Sequence, residues 1–269
     1  MKRTSRTSRS PGRTARASGT SGTSPAAFFA AMVLLAATSS SVAAADDGPG
    51  PFGVTASAVA SARSLRVGAL FDADRRQSLA GGHFCTASVV HSRRRDLVVT
   101  AAHCVDGDGS DLLFVPGYRD GQAPRGVWKV GKRFLPDGWA EGRDEDSDVA
   151  FAAVDELDGR NIEDVVGGNR VATGTATGAT AVTVTGYPDS LDAPINCTNK
   201  PSARSSTQQR IDCPGFTSGT SGSPWVNGDG EVVGVLGGHE QGGSTADTSY
   251  SVVLGPGTAE LYADTANGA

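Results

Sequence analysis

From residue 66 onward the chain is a succession of short apolar runs separated by turn residues, and this pattern restricts the fold more than any other feature. The runs are 84–90 (FCTASVV), 97–101 (LVVTA), 112–115 (LLFV), 127–130 (VWKV), 149–154 (VAFAAV), 180–185 (TAVTVT), 231–236 (EVVGVL) and 249–254 (SYSVVL). They are rich in β-branched and aromatic residues, and clusters of Gly, Asp, Asn and Pro lie between them, so they predict strands joined by turns. Many short strands with almost no helical periodicity predict an all-β sandwich or barrel. One helix is expected, at the end, where Thr258 to Thr265 offers a Thr cap and an early Glu260 after a Gly-Pro-Gly turn. The acidic, Gly-bearing stretch 155–169 is the expected connection between two β units, and no internal repeat has a fixed period.

The 269 residues suffice for one large β domain or two small ones. Residues 1–45 combine six basic side chains, an apolar run from Ala26 to Ala37 and the small residues Ala43, Ala44 and Ala45. Basic, apolar and small-residue parts in that order predict a secretory signal peptide, and the apolar run is too short to span a bilayer. Residues 46–66, poor in periodicity, are expected to be a pro-segment or flexible arm, with structure starting near Arg66. Loss of the six basic residues takes the formal charge from −5 to −11. A field of that sign repels phosphate backbones and anionic lipid, which argues against nucleic-acid or membrane-surface partners.

Four cysteines, Cys85, Cys104, Cys197 and Cys213, in an exported chain predict two disulfides. Of the three pairings, the sequence-adjacent 85–104 and 197–213 are favoured, each closing a loop worth about 3 kcal/mol in the chain-entropy view. No paired Cys/His spacing suggests zinc, and no cofactor is expected. DGDGSD, with Asp106, Asp108 and Ser110, resembles the opening of a calcium loop. Asp111 stands where that loop needs Gly, however, and Gly117 where it needs Glu, so a solvated turn is expected.

Any imidazole base must be His83, His91, His103 or His239. His103 stands out because in VVTAAHC a β run ends in small residues, leaving room for an imidazole at a strand end. Ser221 in GTSGSP is the candidate nucleophile, since flanking glycines permit a tight turn that presents a hydroxyl and frees backbone N–H groups. Among the carboxylates Asp144, Glu145, Asp146 and Asp148, the last opens the run VAFAAV and can be buried there. The other three are expected in an exposed acidic loop.

Taken together, TAAHC (100–104), DVAF (148–151) and GTSGSP (219–224), in this order, resemble the trypsin/chymotrypsin family over about residues 67–266. The resemblance implies two antiparallel six-stranded β-barrels packed together, residues 67–158 and 159–269, with a short C-terminal helix. It implies a triad of His103 as base, Asp148 as its orienter and Ser221 as nucleophile, with the N–H groups of Gly219 and Ser221 as the oxyanion hole. It also implies that Cys85–Cys104 braces the histidine loop. The specificity pocket would be walled by Gly215, Phe216, Leu236, Gly237, Gly238 and Tyr250. Gly215 replaces the aspartate that selects Arg or Lys, and Leu236 the histidine of glutamyl-specific members, so neither a strictly basic nor a strictly acidic preference is expected; His239 is expected to be an exposed loop histidine. Thr220 stands where animal-type members carry an aspartate that pairs with a newly cut amino terminus, and SGSP replaces SGGP. These departures look closer to the bacterial glutamyl-endopeptidase-like branch. The implied function is a secreted, monomeric serine endopeptidase acting on proteins or peptides. The rival is a secreted binding or adhesion protein that keeps the fold without turnover. A G-x-S-x-G esterase elbow is absent around Ser221.

Overall fold

A computed structural model describes residues 51–107 and 110–268. The expected signal peptide and Asp108 lie outside the described residues. In chain order the strands are β1 (Thr55–Ser57), β2 (Val67–Asp72), β3 (His83–Val90), β4 (Leu97–Thr100), β5 (Leu112–Pro116), β6 (Trp128–Phe134), β7 (Ala150–Val154) and β8 (Arg170–Val171). They continue with β9 (Val182–Gly186), β10 (Ile195–Asn199), β11 (Ser202–Ala203), β12 (Gln208–Asp212), β13 (Pro224–Asn227), β14 (Glu231–Val235) and β15 (Thr248–Val252). Among the described residues three α-helices intervene or follow: α1 (Asp137–Gly142), α2 (Ile162–Val166) and α3 (Pro256–Ala266).

The first half is a closed barrel in the order β2-β3-β4-β7-β6-β5, with every neighbouring pair antiparallel. Its interior is filled by Leu70, Val89, Val98, Phe114, Trp128 and Ala152. The second half contains a six-stranded sheet, β1-β10-β9-β13-β14-β8, and a three-stranded sheet, β11-β12-β15. A bridge from Leu236 to Ser251 and the bonds from Gln209 Nε2 to Val233 O and from Val235 N to Ser251 Oγ join the two sheets. In β9 (VTVTG) every second residue is buried, the period that one solvated face demands. By contrast β3 is buried at all positions but Phe84, because one face fills the barrel and the other meets the second half. Val90, Leu97, Val99 and Phe151 of the first half pack with Val232, Val235, Val252 and Leu254 of the second, and Leu261 and Tyr262 of α3 close over them.

Two expectations change here. Structure begins well before Arg66: Thr55 pairs with Cys197 and Ser57 with Ile195, so the amino-terminal arm adds an edge strand to the second half's sheet. The terminal helix starts at Pro256 rather than under a Thr258 cap, with Gly255 as its N-cap and no side-chain cap. Proline suits the first helical position because its φ is preset and its missing N–H has no partner to lose there. The disulfides are Cys85–Cys104 and Cys197–Cys213.

Candidate active site

Strands β4 and β7 are antiparallel neighbours, with Thr100 opposite Ala150. The chain leaving β4 and the chain entering β7 therefore lie at the same barrel end, which brings His103 and Asp148 together across 45 residues of sequence. Ala101 and Ala102 are fully buried, and a 3-10 turn, Ala102–Cys104, presents the imidazole. Asp148 has no solvent exposure. Its Oδ2 accepts hydrogen bonds from His103 Nδ1 at 2.7 Å and from the Gly238 N–H at 2.7 Å, while its Oδ1 accepts from the His103 N–H at 3.0 Å. Three donors offset the cost of placing a carboxylate out of water. A carboxylate only accepts, so Nδ1 carries a proton, which in the neutral ring leaves the lone pair on Nε2.

Ser221 sits on a turn whose four successive carbonyls are all bonded. Ser218 O accepts from Asp189 N at 2.8 Å, and Gly219 O accepts from Thr86 Oγ1 at 3.0 Å. Thr220 O accepts from Ser223 N at 3.0 Å and from Ser223 Oγ at 2.6 Å, and Ser221 O accepts from Thr86 N at 2.7 Å. In a trans peptide the N–H points opposite to the C=O, so holding the oxygens of residues 218 and 220 aims the N–H groups of Gly219 and Ser221 the other way. Among the described residues neither N–H donates a hydrogen bond, so both are left available to an acceptor. The turn needs φ of +88° at Gly219 and +85° at Gly222, and a Cβ on Gly222 would fall on Thr86 O and Thr100 Oγ1. No hydrogen bond among the described residues joins the Ser221 hydroxyl to the imidazole. Their segments meet through β3, where Thr86 binds Ser221 and the adjacent Cys85 is bonded to Cys104.

The remaining histidines have other partners. Buried His83 bonds Pro188 O through Nε2 at 2.9 Å, and His91 bonds Glu163 at 2.7 Å. His239 is not the exposed loop residue expected: its side chain is only 24% exposed, with its ring edge-on to Tyr250 at 4.9 Å and Nδ1 3.4 Å from a Glu145 carboxylate oxygen. The acidic residues Asp144, Glu145 and Asp146 are exposed, as expected, and two of them also tie down a neighbouring loop. Glu145 accepts from Glu240 N, and Asp146 accepts from the Gln208 amide, at 3.1 and 2.8 Å. Buried Gln208 thereby ties the two loops that flank Asp148, since its Oε1 also accepts from His239 N at 3.3 Å.

Of the expected pocket residues, Phe216 and Leu236 are buried in the second core. Gly238 N donates to the Asp148 carboxylate, Gly237 lies against it, and Gly237 N donates to Tyr250 O at 3.0 Å. Gly215 adopts φ of +87° at the start of the Ser221 loop. Asp106 is engaged by Trp139 Nε1 and Arg143, both at 3.0 Å, rather than free in a solvated turn. The Trp139 ring in turn lies 6.3 Å from that of His103. Cys85, His103 and Cys104 cluster closely enough to hold a metal, but the two sulfurs are bonded to each other and offer no thiolate. Thr86, Ser223, Gln208 and Trp139 are the site residues that sequence reasoning misses. Only Ser223 carries a signal, as the departure from SGGP.

Residues 85–235, more than half the chain, match the family profile of the trypsin-like peptidase domain. Among solved structures, the protease Anisep from Arthrobacter nicotinovorans is 27% identical and superposes with a TM-score of 0.67, over 80% of this chain and 100% of that one. A thermostable serine protease, AL20, from an extremophilic microorganism is also 27% identical, with a TM-score of 0.65 over 77% of this chain and all of that one. A Glu endopeptidase in complex with MPD shares the fold at 19% identity and a TM-score of 0.61, over 80% and 97% of the two chains. No curated protein matches by sequence.

Proposed function

The chain belongs to the trypsin-like peptidase domain family, and we propose that it is a secreted serine endopeptidase working through Ser221, His103 and Asp148. The carrying observation is the fully buried Asp148 carboxylate, bonded to both the backbone N–H and the Nδ1 of His103. That arrangement frees Nε2 to take the Ser221 proton as the serine oxygen attacks the scissile carbonyl. The carbonyl oxygen becomes an oxyanion between the N–H groups of Gly219 and Ser221. The imidazolium, stabilised by Asp148, then gives its proton to the leaving amine. An acyl-enzyme on Ser221 remains, and water activated by the same imidazole hydrolyses it.

With Gly215 and Leu236 at the positions that select charge in relatives, the P1 preference is neither strictly basic nor strictly acidic. Residues 1–45 act as a signal peptide, the mature chain is monomeric, and it keeps the arm from residue 52 onward because β1 is part of the second half's sheet. The two disulfides and the acidic net charge favour an extracellular site of action on protein or peptide substrates. A fluorophosphonate probe tests the central reading: it labels the folded mature protein and fails on Ser221→Ala. Absence of labelling on the folded wild type would favour a binding module and overturn the proposal.

A further inference from the structure

Building on that reading, we propose that the hydroxyls of Thr86 and Ser223 are positioning groups that hold the oxyanion hole permanently assembled, so that activity needs no ion pair from a newly cut amino terminus. The starting point is Thr220. Where animal-type relatives place a carboxylate, this chain has a threonine, 1% exposed, whose hydroxyl only donates back to Thr217 O at 2.6 Å. Something else must keep the peptide planes of the turn from rotating, and two hydroxyls are placed to do so.

Ser223 is fully buried, and its Oγ donates at 2.6 Å to Thr220 O. That carbonyl belongs to the same peptide as the Ser221 N–H, one of the two oxyanion donors. The hydroxyl thus resists a flip of that plane and polarises the amide at the end facing the cleft. Room for it is made on β9, where a Cβ on Gly186 would coincide with Ser223 Oγ. A glycine at residue 223, as in SGGP, would leave Thr220 O with the Ser223 N–H position alone.

Thr86 acts from the other half of the molecule. Its single hydroxyl accepts from Tyr187 N at 3.0 Å and donates to Gly219 O at 3.0 Å, while its N–H holds Ser221 O at 2.7 Å. Tyr187 opens the segment that carries Asp189, whose N–H fixes Ser218 O and with it the Gly219 N–H. One buried side chain, with no exposure, therefore bonds both sides of the turn. Its neighbour Cys85 is bonded to Cys104, beside His103, so the same stretch of β3 also sets the distance between base and oxyanion hole.

The test compares Thr86→Val, Thr86→Ser and Ser223→Ala in the mature protein, measuring kcat per titrated active site, KM, and the affinity for a peptide aldehyde, whose adduct places an oxygen in the hole. Thr86→Val and Ser223→Ala are expected each to lower kcat about tenfold, the scale of one neutral hydrogen bond and below the hundredfold or more for losing an oxyanion donor outright. KM stays within about threefold, aldehyde affinity falls in step with kcat, and Thr86→Ser restores both. A merely structural tie would lower melting temperature and yield but leave turnover per titrated site unchanged; that result in both variants overturns the proposal. Ser223→Ala touches no contact between the halves, so it decides the matter even if Thr86→Val does not fold. If the wild type turns over and Ser221→Ala does not, unchanged variants sink only the lock. If the wild type is no more active than Ser221→Ala, the peptidase reading falls and takes this one with it.

Discussion

The first half is a closed barrel and the second a barrel-like pair of sheets, and the two halves bring different groups to the site. The closed barrel contributes side chains. His103 and Asp148 stand at the ends of adjacent strands, and their geometry follows from the β4–β7 register. The second half, a six-stranded and a three-stranded sheet, brings the Ser221 side chain and, around it, backbone: the N–H groups of Gly219, Ser221 and Gly238. A barrel positions a base by its own rigidity. A loop positions amides by having its carbonyls held, here from within by Ser223 and from the first half by Thr86.

The sharpest way to break this contrast is Asp148→Asn. An amide at that position reverses the donor and acceptor roles around His103 Nδ1 with the fold intact, and kcat should fall by about 10⁴. A loss of less than tenfold in steady-state hydrolysis would mean that the first half does not supply the acid–base chemistry.

The two disulfides sharpen the comparison at smaller scale. They span similar separations, 19 and 16 residues, so replacing either pair by alanine should cost about 2–4 kcal/mol in denaturant unfolding. Removing Cys85–Cys104 should also lower kcat, because it releases the His103 turn from β3. Removing Cys197–Cys213, which makes no bond to the His103 turn, should lower turnover per active site less, and equal kcat losses would contradict the assignment of roles.

The smallest effect concerns the fastening between the halves. Asp192, in the second half, accepts from Tyr118 Oη at 2.5 Å and from Gly81 N at 2.8 Å, both in the first. The Tyr118 hydroxyl first, then the Gly81 N–H, hold this carboxyl below its ordinary value. Burial foremost, with the bond to Asp192, pushes the Tyr118 phenol up. A lowered carboxyl stabilises the fold fully above the usual value of about 3.9 and loses that contribution as pH falls through the folded-state value. Asp192→Asn should therefore cost about 1–2 kcal/mol at neutral pH and flatten part of the acid limb of the stability curve. An unaltered acid limb would show that this carboxylate adds nothing to the fastening between the halves.

The contrast also explains what could be read without coordinates. His103, Asp148 and Ser221 lie in short segments whose composition is dictated locally: small residues before the histidine, a β run opening at the aspartate, glycines at 219 and 222. Most first-half strands are apolar enough to identify. In the second half β12 (QQRID) buries Gln208 and Gln209, at 5% and 4% exposure, as hydrogen-bonding groups, so hydropathy does not mark it. The turn after Gly238 places Glu240 and Gln241 at φ of 51° and 55°, a region that favours Gly or Asn. Only tertiary bonds, such as Glu145 to Glu240 N, account for that conformation. The short helices α1 and α2 are too brief to show a period.

The edge strand β1 carries a consequence for how the molecule is made. Residues 55–57 are among the first of the described chain to leave the ribosome, yet their partners, 195–197, follow about 140 residues later. A nascent first barrel can close without them, whereas the second sheet cannot gain its outer strand until nearly the whole polypeptide has been synthesised. During synthesis or refolding this segment is therefore an unpaired β edge awaiting a distant mate, and a chaperone or a second chain would find it there first.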